Sequence, residues 1–189
     1  MGAAAYAEET IVDAGRAARL PDGVSEEAAA ASFLKGLTAD MLLRQVYPAK
    51  PGETALVTAA AGGVGLLLCQ WAVQLGLRVI AVVGDKAKIA AVKAAGVADI
   101  IDRSDTPDIA GAVRTLTNGK GANVAYDSVG KATFEACLDS LSLRGMMVTY
   151  GNASGPVPAI APLDLTRRGS LSLARPSLFH YATPDRLPA

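Results

Sequence analysis

The stretch Thr58-Ala59-Ala60-Ala61-Gly62-Gly63-Val64-Gly65-Leu66 joins a β-rich run, Ala55 to Ala59, to an apolar run of helix length, Val64 to Leu75. Against the pattern G-x-G-x-x-G it reads Ala60-x-Gly62-x-x-Gly65, with alanine in the place of the first glycine. A residue without a side chain at Gly62 lets backbone approach a pyrophosphate, and one at Gly65 lets the helix pack closely on the strand. The helix N-terminus behind them offers free N–H groups and partial positive charge. Glycine turns between strands and helices are common, so this spacing carries weight only through its surroundings.

Those surroundings alternate strand and helix to the end of the chain. Strands are expected at Arg78–Val83, Asp99–Ile101, Ala122–Asp127, Gly145–Tyr150 and Ser170–Ala174, and helices at Lys86–Ala95, Pro107–Leu116, Thr133–Ser140 and Leu163–Arg168. With Ala55–Ala59 this makes six strands, and the fold class is α/β: a Rossmann fold with a doubly wound parallel sheet and helices on both faces. Before the sheet, the Ala- and Leu-rich run Val24–Gln45 reads as one or two helices. Tyr6–Val12 reads as a strand without an evident partner.

Eighteen basic residues balance eighteen acidic ones, so nothing favours nucleic acid or an anionic membrane surface. No basic and apolar leader opens the chain, and no run of about 18 apolar residues occurs, so neither secretion nor a bilayer span is expected. Cys69 and Cys137 lie in apolar, helix-like runs and fit buried, reduced thiols of a cytoplasmic protein. With one histidine and two scattered cysteines, no metal site is expected. His180 reads as an incidental surface residue. Asp127, ending its strand, reads more naturally as an acceptor for local backbone N–H groups than as an acid or base.

The tip of the second strand bears on the choice of dinucleotide. A carboxylate there would hold the ribose hydroxyls of NAD, but the sequence is Val82-Val83-Gly84-Asp85-Lys86, with Asp85 beyond the strand end and Lys88 close behind. Glycine with a nearby ammonium accommodates a 2′-phosphate and favours NADPH. Lys86 and Lys88 equally suit a solvated first turn.

Together, Ala60–Gly65, Ala31-Ser32-Phe33-Leu34-Lys35-Gly36-Leu37-Thr38 and Tyr126-Asp127-Ser128-Val129-Gly130 resemble the zinc-independent NADPH:quinone oxidoreductases, the zeta-crystallin-like branch of the medium-chain dehydrogenase/reductase superfamily. Tyr150–Gly155 and Arg175-Pro176-Ser177-Leu178 extend the resemblance over essentially the whole chain. It implies hydride transfer from NADPH to a quinone, with Thr38 toward the nicotinamide and Gly63 and Val64 against the pyrophosphate. It also implies Gly84 and Lys88 at the 2′-phosphate, Ser128 near the ribose, Tyr150, Gly151, Asn152 and Ala153 along the nicotinamide ribose, and Pro176, Ser177 and Leu178 around the ring. Arg103 stands where a relative carries a tyrosine beside the 2′-phosphate; it can pair with phosphate or sit solvated at the strand end.

Family members are about twice as long, with a GroES-like substrate domain. The resemblance therefore implies residues 1–23 as a remnant of that domain and linker, 24–178 as the cofactor domain and 179–189 as a truncated tail. A chain lacking most of the substrate domain need not turn over an acceptor, so a non-catalytic nucleotide-binding module stays open, as does an enoyl or alkenal reductase. Strand Ser170–Ala174 should form a sheet edge with unpaired backbone groups and no lysine or proline to protect it. The resemblance implies that two copies pair there as a homodimer.

Overall fold

Apolar side chains alternate along the strands between two cores, as parallel strands covered on both faces require. Ala55 and Val57 point into one core and Leu56 into the other; Val79, Ala81 and Val83 alternate in the same way with Ile80 and Val82. The computed structural model describes residues 7–183. It contains β1 (Thr54–Val57), β2 (Arg78–Val83), β3 (Asp99–Asp102), β4 (Ala122–Asp127), β5 (Leu141–Thr149) and β6 (Ser172–Ala174) in one sheet. Their order is β3-β2-β1-β4-β5-β6 and every pairing is parallel, which is the doubly wound Rossmann arrangement.

Helices α1 (Glu26–Asp40), α2 (Gly63–Gln74) and α3 (Ile89–Ala94) cover one face. The other face takes α4 (Ile109–Leu116), α5 (Phe134–Asp139) and α6 (Pro162–Arg167). Ser25 caps α1 by accepting from the Ala28 N–H at 3.2 Å. The expected run Val24–Gln45 is therefore helical, but α1 gives way to a π-helical turn at Met41–Val46. The Tyr126 hydroxyl donates to the Leu42 carbonyl of that turn at 3.3 Å, which ties it to β4.

Four boundaries depart from expectation for physical reasons. β1 stops at Val57, because Ala59 turns into the left-handed region at φ 46°. The helix expected at Lys86–Ala95 begins as a 3-10 turn, Lys86–Lys88, capped by Asp85. β5 starts early at Leu141 but follows β4 continuously only from Met146, since Arg144 takes φ 60° and the register shifts there. The strand expected at Ser170–Ala174 is reduced to Ser172–Ala174: Ser170 has φ 55°, and the Leu171 N–H bonds the Leu165 carbonyl at 3.0 Å.

The strand expected at Tyr6–Val12 is not present. Tyr6 lies outside the described residues, and residues 7–12 are exposed and irregular. A lone extended segment has no ladder to satisfy its backbone groups, so period-2 patterning alone cannot make it a strand. Among the described residues no helix is long and apolar enough to cross a membrane. Cys69 and Cys137 are buried free thiols, and burial pushes Cys69 up to about 12 and Cys137 well above its usual value.

Candidate functional site

In a doubly wound sheet the strand order reverses between β1 and β4, and loops leaving the two strands in opposite directions open a crevice at their C-terminal ends. A cleft of about 260 Å³ occupies that place. It is lined by Thr58, Ala59 and Gly62 after β1, Gly84 and Lys88 after β2, Arg103 after β3, and Val129 and Thr133 after β4. Four residues singled out in the sequence, Gly62, Gly84, Lys88 and Arg103, thus meet in one cleft although three different strands supply them.

The turn after β1 is built backbone on backbone. The Ala59 carbonyl accepts from the Gly62 N–H at 2.8 Å, and the Ala60 N–H donates to the Val82 carbonyl at 3.1 Å. A Cβ at Gly65 would collide with the Ala59 carbonyl oxygen and come within 2.9 Å of the Ala60 Cα, so the close helix–strand approach forbids a side chain there. A Cβ at Gly62 would sit 3.0 Å from the same oxygen. Ala59, a non-glycine residue at φ 46°, holds the turn at a conformational cost of about 1 kcal/mol. Helix α2 starts with no side-chain cap and no acidic residue in its first turn, so its first-turn N–H groups have no side-chain acceptor, and its N-cap Gly62 lines the cleft.

Beneath the crevice lies a buried knot that sequence reading did not assemble. The Asp127 carboxylate accepts from the Thr58 and Thr133 hydroxyls, both at 2.6 Å, and from the N–H groups of Val129 and Gly130 at 3.2 and 3.0 Å. All three side chains are essentially inaccessible. The expected acceptor role of Asp127 is therefore present, and the two hydroxyls add to it a tie between the ends of β1 and β4 and the start of α5.

At the tip of β2 the carboxylate of Asp85 is already engaged. One oxygen accepts from the Ala87 N–H at 3.0 Å, and the other lies 3.1 Å from the Lys88 ammonium, whose proximity holds the carboxyl below its usual range. Lys86 pairs instead with Asp105 at 2.8 Å. Gly84 is exposed and open, with the Lys88 ammonium 3.9 Å from where its Cβ would stand. Arg103 is exposed on the same rim, with its N–H bonded to the Val83 carbonyl at 3.0 Å.

A second cleft, of about 330 Å³, opens at the ends of β5 and β6. It is lined by Thr38, Met41, Tyr150, Arg175, Pro176, Ser177, Leu178 and Phe179, which brings together Thr38, Tyr150 and Pro176–Leu178. The Thr38 hydroxyl donates to the Leu34 carbonyl at 2.8 Å, so it faces the cleft as an acceptor only. Burial pushes the Tyr150 phenol up to about 12 against the opposing hydrogen bond from Ser128, so it is neutral at physiological pH. Ser128, Gly151, Asn152 and Ala153 line neither cleft. They form the platform between them: Ser128 N–H reaches the Thr58 hydroxyl at 3.3 Å, Ala153 N–H the Ser128 carbonyl at 3.2 Å, and a Cβ at Gly151 would meet the Ser128 carbonyl at 2.5 Å. Asn152, with its amide oriented to satisfy its neighbours, accepts from Arg175 at 3.2 Å. Gly63 and Val64 lie in the first turn of α2, and Gly63 is overlaid by the Lys35 side chain. Lys35 and Arg175 lie in stretches that carry the resemblance, but sequence patterning assigns neither a site role, because only the packing of α1 on α2 and of the β6 tail on the Gly151 loop gives them a partner. His180 is exposed, and among the described residues no group of three or more His, Cys, Asp or Glu could hold a metal ion.

Residues 63–183 match the family model described as zinc-binding dehydrogenase. The chain is 50% identical over 179 residues to a quinone oxidoreductase of Salmonella typhimurium, covering 95% of this chain and 54% of that protein. It is 41% identical over 180 residues to a 2-haloacrylate reductase of Burkholderia, covering 94% and 54%. The solved structure of Escherichia coli quinone oxidoreductase complexed with NADPH superposes with a TM-score of 0.87 at 46% identity, over 91% of this chain and 53% of that one. The chain thus spans about half the length of the curated relatives it matches.

Proposed function

Because the chain belongs to the zinc-binding dehydrogenase family, we propose that it is the cofactor-binding domain of an NADPH-dependent quinone oxidoreductase, with residues 24–178 forming that domain and the flanking segments continuing toward a substrate domain. The observation that carries this reading is the cleft at the strand-order reversal, where an uncapped helix start, the Ala59 turn and a β2 tip whose one carboxylate, Asp85, is already engaged by Lys88 and the Ala87 N–H converge. When bound, NADPH supplies a hydride; the chain's residues hold and orient it.

Gly62 and the N–H groups of Gly63, Val64 and Gly65 would receive the diphosphate. Gly84, Lys88 and Arg103 would take the 2′-phosphate, with Lys88 exchanging part of its pairing with Asp85 for phosphate. Ser128 and the Gly151–Ala153 platform would support the nicotinamide ribose. Thr38, Tyr150, Pro176, Ser177 and Leu178 would wall the ring, with the neutral Tyr150 phenol acting as a hydrogen-bonding group and not as a base.

NADPH should bind more tightly than NADH, and Lys88→Glu should reverse the order, moving the ratio of dissociation constants about thirtyfold through loss of one charge-assisted contact and gain of a repulsion. Fluorescence titration with both dinucleotides is the check; equal affinities in the wild-type chain at low salt would refute the 2′-phosphate assignment.

The Burkholderia relative favours a second acceptor class, an activated carbon–carbon double bond. Oxidation of NADPH in the presence of a quinone or of 2-haloacrylate separates the two, and tight NADPH binding with no turnover of either marks a non-catalytic module.

The assembly proposed with this reading is a homodimer joined through the outer edge of β6. Its three-residue strand pairs only with β5 among the described residues, and Ser172 is exposed. Wild-type protein at micromolar concentration should sediment as a dimer. Ser172→Lys, placing a charge at the joint, should return it to monomer; a monomeric wild type refutes the proposal.

A further inference from the structure

The glycine pair Gly62-Gly63 contains one glycine more than close approach to a diphosphate needs, and the structure gives the second a separate cause. A Cβ at Gly63 would stand 2.7 Å from Cε and 2.9 Å from Cδ of Lys35, and 3.2 Å from its Nζ. The side chain of Lys35, from α1, is thus laid across the first turn of α2, and Gly63 leaves the room for it. Lys35 is exposed and forms no ion pair among the described residues.

That placement is unfavourable for the chain alone. A helix start carries partial positive charge, and the first turn of α2 offers neither an acidic residue nor a side-chain cap to offset it. An ammonium parked there meets charge of its own sign, whereas extension into solvent was open to an exposed lysine with four rotatable side-chain bonds. The arrangement becomes favourable once an anion lies between the ammonium and the N–H groups, because both then act on the same negative charge.

We propose that Lys35 is a binding residue for the diphosphate of the dinucleotide, closing over it from α1 while α2 supports it from below. The proposal rests on the dinucleotide reading above and adds a cation from outside the βαβ unit that carries the glycine motif. Lys35 acts on the part shared by NADPH and NADH, and Lys88 on the part that distinguishes them.

The test uses the full chain and both dinucleotides. Lys35→Met should weaken NADPH and NADH by the same factor, about tenfold for loss of one charge-assisted contact at an exposed site, and leave their ratio unchanged. Lys35→Arg should restore most of the affinity, and the loss in Lys35→Met should shrink at high salt. Adenosine 2′-monophosphate, which has no diphosphate, should bind Lys35→Met and wild type alike. Lys120→Met, at the opposite end of the sheet, should change nothing. Unaltered binding of both dinucleotides to Lys35→Met overturns the proposal, as does a loss confined to NADPH, which would move Lys35 to the 2′-phosphate. If wild-type chain binds neither dinucleotide, the cofactor reading itself fails, and the proposal falls with it before any variant is made.

Discussion

Asp127→Ala should lower the unfolding free energy by about 3–5 kcal/mol, one of the largest losses available to a single change outside the apolar core. The carboxylate accepts four hydrogen bonds in a site closed to solvent, two from hydroxyls and two from backbone N–H groups. Truncation leaves the Thr58 hydroxyl and the Val129 and Gly130 N–H groups without this acceptor and the Thr133 hydroxyl with only a 3.4 Å contact to the Gly130 carbonyl, and each buried orphan costs about 1–3 kcal/mol unless water enters the space. Asp127→Asn should cost less, about 1–2 kcal/mol, because one oxygen can still accept while the amide NH2 faces a donor. Urea denaturation of the three proteins gives the ordering directly. A loss below about 1 kcal/mol for Asp127→Ala would mean that water replaces the carboxylate and that the knot is not what fixes the crevice. The same variant should weaken dinucleotide binding beyond its effect on stability, since Thr58 and Thr133 line the cleft that the knot supports.

Gly62→Val should abolish dinucleotide binding in the titration while the chain still unfolds cooperatively. Gly62 is exposed at the mouth of the cleft, and its added Cβ would sit 3.0 Å from the Ala59 carbonyl oxygen, a contact that a few tenths of an ångström of movement relieves. The remaining methyl groups would occupy the space a diphosphate needs. Gly65→Val provides the contrast, because its Cβ runs into backbone at Ala59 and Ala60, where β1 turns into α2. Neither side can yield without separating helix from sheet, so this variant should lose about 2–4 kcal/mol of stability as well as binding. Normal NADPH binding by folded Gly62→Val would place the phosphate cradle elsewhere.

The strand and helix sequence of this chain was legible because its signals are local. Two-sided apolar runs such as Arg78–Val83, helix-length apolar segments and the glycine turn at Gly62–Gly65 each lie within a dozen residues, and their alternation leaves little choice but a parallel sheet. The order of that alternation also led Gly62, Gly84 and Arg103 to one crevice, since consecutive βα turns must gather at the C-terminal ends of the strands. Sequence patterning misled where a segment needed a partner or a permitted backbone: residues 7–12 pair with no strand among the described residues, and Ser170 is held at φ 55° outside the edge strand.

Tertiary structure alone decided the contacts between residues far apart in the chain. Thr58 and Asp127 are 69 positions apart and lock together only because β1 and β4 are neighbours in the sheet. Asn152 meets Arg175 only through the return of the chain after β6. Lys35 reads as an ordinary exposed lysine until the packing of α1 against α2 lays it over Gly63. Local pattern carries the periodicity of an element and the chemistry of a turn. Which side chains meet across elements depends on the relative placement of helices and strands, and that placement is set by the summed burial of many apolar side chains, to which no single short stretch of sequence corresponds.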